Sequence, residues 1–258
     1  MADSGGRVPA ETAIWDLRKH PTTFDFAAWL VVVKTLGCTH VRFIDGEIAA
    51  HKYPAEVAWK RFKHILRPLC GLMGMTHDLE YGGEGISPAY HYGTVAKVYE
   101  QLGEVALYPR LDPVIDGDYV TVTLRKSFRN AYRNASDDWE RVIDTLQQRG
   151  HRVIVVNDCE DKPIPMHVRA SVYGNAVLNL GASNGPLALC HFSEAPYLTF
   201  NLIPRENGRY WVEHHARTGF PVGSQFAFRN ERQKLVWEPD DFEVIMREID
   251  CLPAKTSP

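Results

Sequence analysis

Six small or polar residues, Gly181-Ala182-Ser183-Asn184-Gly185-Pro186, separate two apolar segments in the C-terminal half and are called the 181–186 motif below. Small residues let a backbone approach a ligand closely, and Ser183 or Asn184 is suited to cap a following helix. The amides and the positive dipole of a helix start attract a phosphate. The motif is neither a Walker loop nor GxGxxG, and ordinary strand-to-helix turns use the same residue types. An anion site and a plain turn therefore both stay open.

Arg125 directly follows a β-branched segment, 119–124, that predicts a buried strand. An arginine at a strand end is placed to bind a diphosphate, because its planar guanidinium offers paired donors. A surface ion pair with one of the 32 acidic residues is the alternative. Arg129 lies four residues on and either adds to the anion site or belongs to a solvated loop face.

Polar residues near other predicted strand ends are further candidates, because ligands of open parallel sheets collect beyond the carboxyl ends of the strands. Asn157 and Asp158 are placed to bind ribose hydroxyls or to support the arginines, although both residue types also form turns. Asn179, Glu194 and Gln225 complete the predicted nucleotide-binding set. A plain exposed carboxylate is the alternative for Glu194. The segment that contains Gln225 also fits a loop anchored by its aromatic residues.

Asp16 follows a predicted strand in the N-terminal half, where a carboxylate is placed to act as a catalytic acid or base toward a hydroxyl. A purely structural role is the alternative. No cysteine lies in a recognisable protease sequence, which disfavours covalent catalysis by a cysteine nucleophile. The histidines and the five cysteines lack the spacing of zinc sites, so we predict no bound metal.

The composition is that of an ordinary globular protein, with 45% hydrophobic and 24% charged residues over 258 positions. No continuous apolar run reaches membrane-spanning length, and no basic region followed by an apolar stretch marks a signal peptide. We therefore expect a cytoplasmic protein without a membrane span. The net charge of −3 argues against a broad nucleic-acid-binding surface.

Apolar patterns predict strands that alternate with helices in both halves, which is typical of an α/β protein with parallel sheets. An acidic stretch with Pro113 and Gly117 is the expected linker between an N-terminal domain and a C-terminal domain. The expected domains are 12–112 and 118–252. The predicted strands are 13–17, 40–44, 119–124, 153–156, 176–180 and 196–202, and the predicted helices are 26–36, 54–70, 92–102, 136–148, 166–173, 187–193 and 240–249.

Three helix starts carry residues that predict side-chain caps. Thr22-Thr23-Phe24-Asp25 offers a hydroxyl and a following carboxylate, and Ser136 precedes two acidic residues. Asp240 with Glu243 has the spacing of a capping box for the last helix.

The C-terminal half resembles the donor half of GT-B glycosyltransferases, in particular heptosyltransferase-like and fucosyltransferase-like proteins. The resemblance lies in the strand before Arg125, the helix around Trp139, the segment 153–158 and the run 177–186. In that architecture two Rossmann-like domains face each other across a cleft. The C-terminal domain binds the sugar nucleotide with an arginine after its first strand and a small-residue turn at a helix start. The resemblance thus implies that Arg125 and the residues Ser183 to Gly185 bind the donor.

The same resemblance implies a metal-independent transfer of sugar from a nucleotide-sugar donor to the hydroxyl of a saccharide or other acceptor. Arg125 and helix-end amides neutralise the diphosphate, and Asp16 deprotonates the acceptor if the reaction inverts. No cofactor is expected besides the donor substrate. A nucleotide-sugar epimerase or hydrolase and a non-catalytic nucleotide-binding assembly protein are the alternatives.

Overall fold

The computed structural model describes residues 11–46, 54–83, 91–124, 136–157 and 163–253. They form a mixed α/β protein with two parallel sheets, one of three strands and one of five. The predicted fold class, α/β with parallel sheets, is confirmed at this level. None of the helices in these residues combines the length and the hydropathy needed to cross a bilayer.

The N-terminal sheet has the strand order β1-β2-β3, and all its strands are parallel. The first helix is apolar on nearly every side, and residues Phe26 to Val33 are all buried. The elements are β1 (Thr12–Asp16), α1 (Asp25–Thr35), β2 (His40–Asp45), α2 (Ala55–Arg61), a π-helical segment (Phe62–Leu66), α3 (Arg67–Leu72), β3 (Thr76–Tyr81) and α4 (Tyr92–Leu102).

The C-terminal sheet has the strand order β5-β4-β6-β7-β8, again all parallel. Its central strands are buried runs of apolar and β-branched residues, as expected for a sheet covered on both faces. The elements are β4 (Val120–Leu124), α5 (Asp138–Gln148), β5 (Val153–Asn157), α6 (Met166–Asn175), β6 (Leu178–Ala182), a 3-10 turn (Gly185–Leu187), α7 (Ala188–His191), β7 (Tyr197–Phe200), α8 (Gly208–Arg217), β8 (Gln233–Leu235) and α9 (Phe242–Asp250).

One hydrophobic cluster joins the two halves of the chain. It contains Trp15 and Trp29 from the N-terminal half and Tyr173 and Leu189 from the C-terminal half. Helix α1 packs against α7, and α3 packs against α6. A second cluster, around Trp139, lies between the five-stranded sheet and helices α5 and α9. The helices α6 and α7 therefore cover the sheet face that is turned toward the N-terminal half.

The predicted elements are present, with ends shifted by a few residues, but three further elements were not predicted. Strand β3 has mostly exposed polar positions, β8 has only three residues, and α8 has no buried residue. Each therefore lacks the apolar pattern that identifies an element from sequence. The predicted strand 176–180 begins and ends two residues later, at 178–182. Gly181 and Ala182 of the 181–186 motif therefore belong to β6.

The three predicted side-chain caps are wrong, because none of these helix starts has a side-chain cap hydrogen bond of its own. The two C-terminal starts instead bind each other. The Asp240 carboxylate accepts hydrogen bonds from the Ser136 amide and Trp139 Nε1, at 2.9 and 2.7 Å. The Asp138 carboxylate accepts one from the Phe242 amide at 3.0 Å. Helices α5 and α9 are thus fixed to each other at their N-terminal ends.

Candidate functional site

The five-stranded sheet has a topological switch point between β4 and β6. From β4 the chain crosses to β5 on one side, and it then returns to β6 on the other side of β4. Connections that leave in opposite directions open a crevice at the carboxyl ends of the two strands, and ligands of such sheets bind there. Ser183 follows β6, and Arg125 is the residue directly after the last residue of β4.

The part of the 181–186 motif that follows β6 is held in one conformation by its own hydrogen bonds. The Asn184 side chain is buried, accepts a hydrogen bond from the Leu187 amide and donates one to the Ala182 carbonyl. The Ser183 amide donates to the Phe200 carbonyl of β7 at 2.7 Å. Of the two predicted capping residues, Asn184 therefore caps the 3-10 turn. Ser183 remains partly exposed at the crevice.

The two glycines of the motif are required by close approaches within the protein. A Cβ at Gly181 would lie 2.7 Å from the Thr123 carbonyl oxygen of the neighbouring strand. A Cβ at Gly185 would lie 2.9 Å from the Cβ and Cδ2 atoms of Phe24, in the loop between β1 and α1. The segment that follows β6 and the loop that follows β1 therefore contact each other at Gly185 and Phe24.

Of the other predicted ligands in the described residues, two lie at the carboxyl edge of the sheet and two do not. Asn157 ends β5 at the carboxyl edge and is exposed, and Gln225 lies at the carboxyl end of β8, where its amide binds the Leu235 backbone. Asn179 is fully buried inside β6 and hydrogen-bonds Thr121 and two backbone carbonyls. Glu194 precedes β7 and lies at the amino edge, so the structure does not bring it together with the 181–186 motif.

Three predicted ligands, Arg125, Arg129 and Asp158, lie outside the described residues. Their roles stay predictions. The strand positions next to two of them are fixed, since Leu124 and Asn157 pair at the ends of β4 and β5. Arg125 and Asp158 are thus the residues that follow directly from these two neighbouring strand ends.

Asp16 ends β1, and its carboxylate is occupied by hydrogen bonds. It is fully buried and accepts bonds from the Arg18 amide, Nε and Nη2 at 2.9 to 3.0 Å, with Lys19 Nζ at 3.4 Å. The hydrogen bonds from Arg18 hold the pKa of Asp16 below its ordinary value despite burial. A carboxylate with a lowered pKa and occupied oxygens is a weak proton acceptor, so these contacts favour the structural alternative for Asp16.

Arg18 joins all three strand ends of the N-terminal sheet, which the sequence did not reveal. It binds Asp16 after β1 and donates from Nη2 to the Gly83 carbonyl after β3 at 2.7 Å. After β2, a Cβ at Gly46 would lie 2.7 Å from Arg18 Cδ, so the arginine stem crosses directly over this glycine. The signal in the sequence is small residues at two of these strand ends, next to an arginine that follows the third.

We expect Asp16→Asn to lower the free energy of unfolding by about 1–3 kcal/mol at pH 7, because Arg18 loses its charged partner. Because the pKa of Asp16 is lower in the folded protein than its ordinary value, this stabilisation is fully present above the ordinary carboxyl pKa. It is lost as the pH falls through the folded-state pKa of Asp16. Urea unfolding at pH 7 and pH 3 tests both statements. The exposed Asp144→Asn is the matched control, and equal effects of the two variants would contradict the structural role.

An acidic pocket of about 340 Å³ lies at the carboxyl edge, beyond β7. Asn201, with a positive φ of 56°, and Arg205 contribute to it from the segment after β7. The remaining lining residues are Ser136 and the acids Asp137, Asp138, Glu206, Asp240 and Asp241. Two of these acids bind the helix starts described above, and Asp241 pairs with Arg205. From the sequence, Asp137, Asp138 and Asp240 were assigned only to helix starts, and Glu206 and Asp241 were given no role.

The candidate metal ligands in the part of the chain that the structure describes are its His, Cys, Asp and Glu side chains. No group of three or more His, Cys, Asp or Glu side chains is arranged there to hold a metal ion. Independence from metals stays a prediction.

No protein-family model and no curated protein matches the chain. Among solved structures, the chain is similar to the bacterial iron-containing dodecameric glycosyltransferase TibC from enterotoxigenic E. coli H10407, with a TM-score of 0.38. It is also similar to the dodecameric iron-containing heptosyltransferase TibC in complex with ADP-D-β-D-heptose, with a TM-score of 0.40. Identity is 14% in both, and each match covers 73% of this chain and 57% of the other. The chain thus spans a little over half the length of these proteins, and similarity at this level carries no information about function.

Proposed function

We propose that the protein is a glycosyltransferase that moves a sugar from a nucleoside-diphosphate sugar to an acceptor hydroxyl without a metal ion. The observation that carries the proposal is the position of the turn around Ser183 at the topological switch point, beside the strand that Arg125 follows. This is the position at which doubly wound sheets bind nucleotides. The combination of a guanidinium and a small-residue turn suits the diphosphate of such a donor.

The chemistry requires stabilisation of the charge that develops on the leaving nucleoside diphosphate. Donors that are fixed in advance do this best, and the hydrogen bonds of Asn184 and Ser183 fix the turn before any ligand binds. The acceptor would enter from the N-terminal half, because the loop between β1 and α1 contacts the turn through Phe24. Asn157 and Asp158, at the end of the neighbouring strand β5, are the proposed partners of the nucleoside part of the donor.

A second candidate is a protein that binds the nucleotide but transfers no sugar. The specific observation in its favour is the occupied, fully buried carboxylate of Asp16, which was the predicted general base. The two candidates share the donor site and differ only in turnover. Incubation of the bound nucleotide sugar with and without acceptors, followed by product analysis, separates a transferase, a hydrolase or epimerase, and a binding protein.

We expect Arg125→Ala to weaken nucleoside-diphosphate binding by about 10- to 100-fold without unfolding the chain, because a charge-assisted hydrogen bond to the diphosphate is lost. A thermal-shift screen with EDTA present measures this. Its panel contains UDP, GDP, CMP, ADP and their sugar conjugates, since a ligand that binds the folded state raises the unfolding temperature. Arg209→Ala is the control, because Arg209 is 93% exposed on α8. Unchanged affinity in Arg125→Ala would overturn the donor-site assignment.

A further inference from the structure

A second pocket, of about 490 Å³, lies at the amino-terminal edge of the five-stranded sheet. Its walls come from the connector 107–110, the C-terminal end of α6 and the segment before β7. Val177, Pro196 and Arg232 line it, and they directly precede β6, β7 and β8. The pocket is therefore at the edge opposite the switch point and is separate from the proposed donor site.

Two arginines line this pocket, and neither has an acidic partner among the residues that the structure describes. Among the described residues, no carboxylate lies within ion-pair distance of Arg110 or Arg232, although Glu194 lines the same pocket. Arg110 donates from Nε to Asn175 Oδ1 at 3.0 Å, its one side-chain hydrogen bond within the described ranges. Arg232 donates from Nη2 to the Val177 carbonyl at 3.0 Å, and its buried Nε has no acceptor in the described part of the chain. The pocket thus has an excess of positive charge with donors left for a ligand.

The lining of the pocket is about equally polar and apolar. Tyr108 is only 3% exposed, and its hydroxyl is already bonded to the Ala27 carbonyl, so it presents its ring and not a free polar group. The Arg110 stem lies beside Gly174, since a Cβ at Gly174 would be in ordinary van der Waals contact with Arg110 Cγ, at 3.5 Å. The remaining apolar lining comes from Leu107, Ala170, Ala176, Leu189 and Ala195.

We infer that this pocket binds a small organic anion whose oxyanion head contacts Arg110 and Arg232 and whose apolar body lies on the wall around Tyr108. An arginine pair binds a carboxylate or a phosphate through paired donors. The volume lies in the range of small-molecule sites. The inference does not depend on the proposed transferase activity, because the two sites lie at opposite edges of the sheet.

Four probes with the same six-carbon chain test the inference by isothermal titration of the full chain: hexanoate, hexyl phosphate, hexanol and hexylamine. We expect saturable binding of hexanoate or hexyl phosphate, and the stronger of the two identifies the head group. Hexanol and hexylamine should bind at least about tenfold more weakly, because they lack the anionic head. Arg110→Gln should weaken anion binding by a similar factor, while Arg209→Gln, on exposed α8, should leave it unchanged.

Arg232 also bonds to the backbone, so a loss of binding in Arg232→Gln is interpreted only if its circular dichroism matches that of the wild type. Arg110→Glu supplies the independent test, since Arg110 is exposed and its reversal should remove anion binding and favour hexylamine. Equal binding of hexanol and hexanoate, no saturable anion binding, or unchanged anion affinity in Arg110→Glu would each overturn the inference. Nucleotide binding at the switch point should be unaffected in these variants.

Discussion

Gly93→Ala should destabilise the protein by at least about 3 kcal/mol, because the added methyl group has no room. A Cβ at this position would lie 2.1 Å from the Thr218 carbonyl oxygen and 2.7 Å from the carbonyl carbon of Gly219. These are backbone atoms, so no side-chain rotation relieves the overlap. The start of α4 would have to move away from the turn that follows α8.

Gly71→Ala is the matched control for this substitution. Gly71 lies in α3, is exposed, and a Cβ there meets nothing within 4 Å. Alanine loses less backbone freedom on folding than glycine, so this variant should be more stable than the wild type by about 0.5–1 kcal/mol. Urea unfolding followed by tryptophan fluorescence measures both changes. A Gly93→Ala variant within about 0.5 kcal/mol of the wild type would contradict the close contact between α4 and the 218–219 turn.

The free energy of unfolding should fall by about 2 kcal/mol between pH 7 and pH 5 through His191 alone. His191 is buried between Tyr92 on α4 and Thr199 on β7, with hydrogen bonds of 2.7 and 2.8 Å at its two ring nitrogens. Burial lowers its pKa to about 3. The unfolded chain binds a proton at this residue below its ordinary pKa of about 6.5, and the folded chain does not.

The sign of the effect follows from this difference in bound protons. Stability from the neutral His191 is complete above the unfolded pKa and declines by about 1.4 kcal/mol per pH unit as the pH falls toward 3. The variant His191→Gln cannot bind this proton, so its stability should depend less on pH between 7 and 5, whatever its stability at pH 7. Urea unfolding at several pH values measures the slope.

Two comparisons make the His191 experiment specific. Burial also lowers the pKa of His20 and His77, but these residues contribute equally to the wild type and the variant. His151 is exposed, so His151→Gln should leave the slope as it is in the wild type. If His191→Gln keeps the slope of the wild type, His191 is not the buried neutral group described above.

The sequence predicted most of the fold because most elements carry their own apolar pattern. Strand β4 is a β-branched run, and α1 is a continuous apolar helix. Strand β3 and helix α8 could not be predicted in this way, since their positions are mainly exposed. The predictions of the three helix caps were wrong for a related reason. A capping box is recognised from residues three apart, whereas Asp240 binds groups that precede it by 104 and 101 residues.

The candidate site was predictable where it depends on the order of elements along the chain. The 181–186 motif lies at the carboxyl end of β6, although its first two residues belong to the strand, and its glycines have steric reasons that only the three-dimensional contacts show. Glu194 illustrates the limit, because it precedes a strand and such residues lie at the amino edge. The occupied carboxylate of Asp16 depends on where the Arg18 side chain folds back, which the spacing of two residues did not reveal.

The exchange of hydrogen bonds between the starts of α5 and α9 makes the last helix part of the closure of the C-terminal sheet. Until Asp240 is in place, the Ser136 amide and Trp139 Nε1 lack the partner that they have in the folded protein. Contacts between residues so far apart form late, because a long loop must close before they contribute. In a chain growing on the ribosome, the start of α5 would thus lack these hydrogen bonds until α9 has emerged. Over that interval the apolar face around Trp139 would lack the cover that α9 gives it in the folded protein.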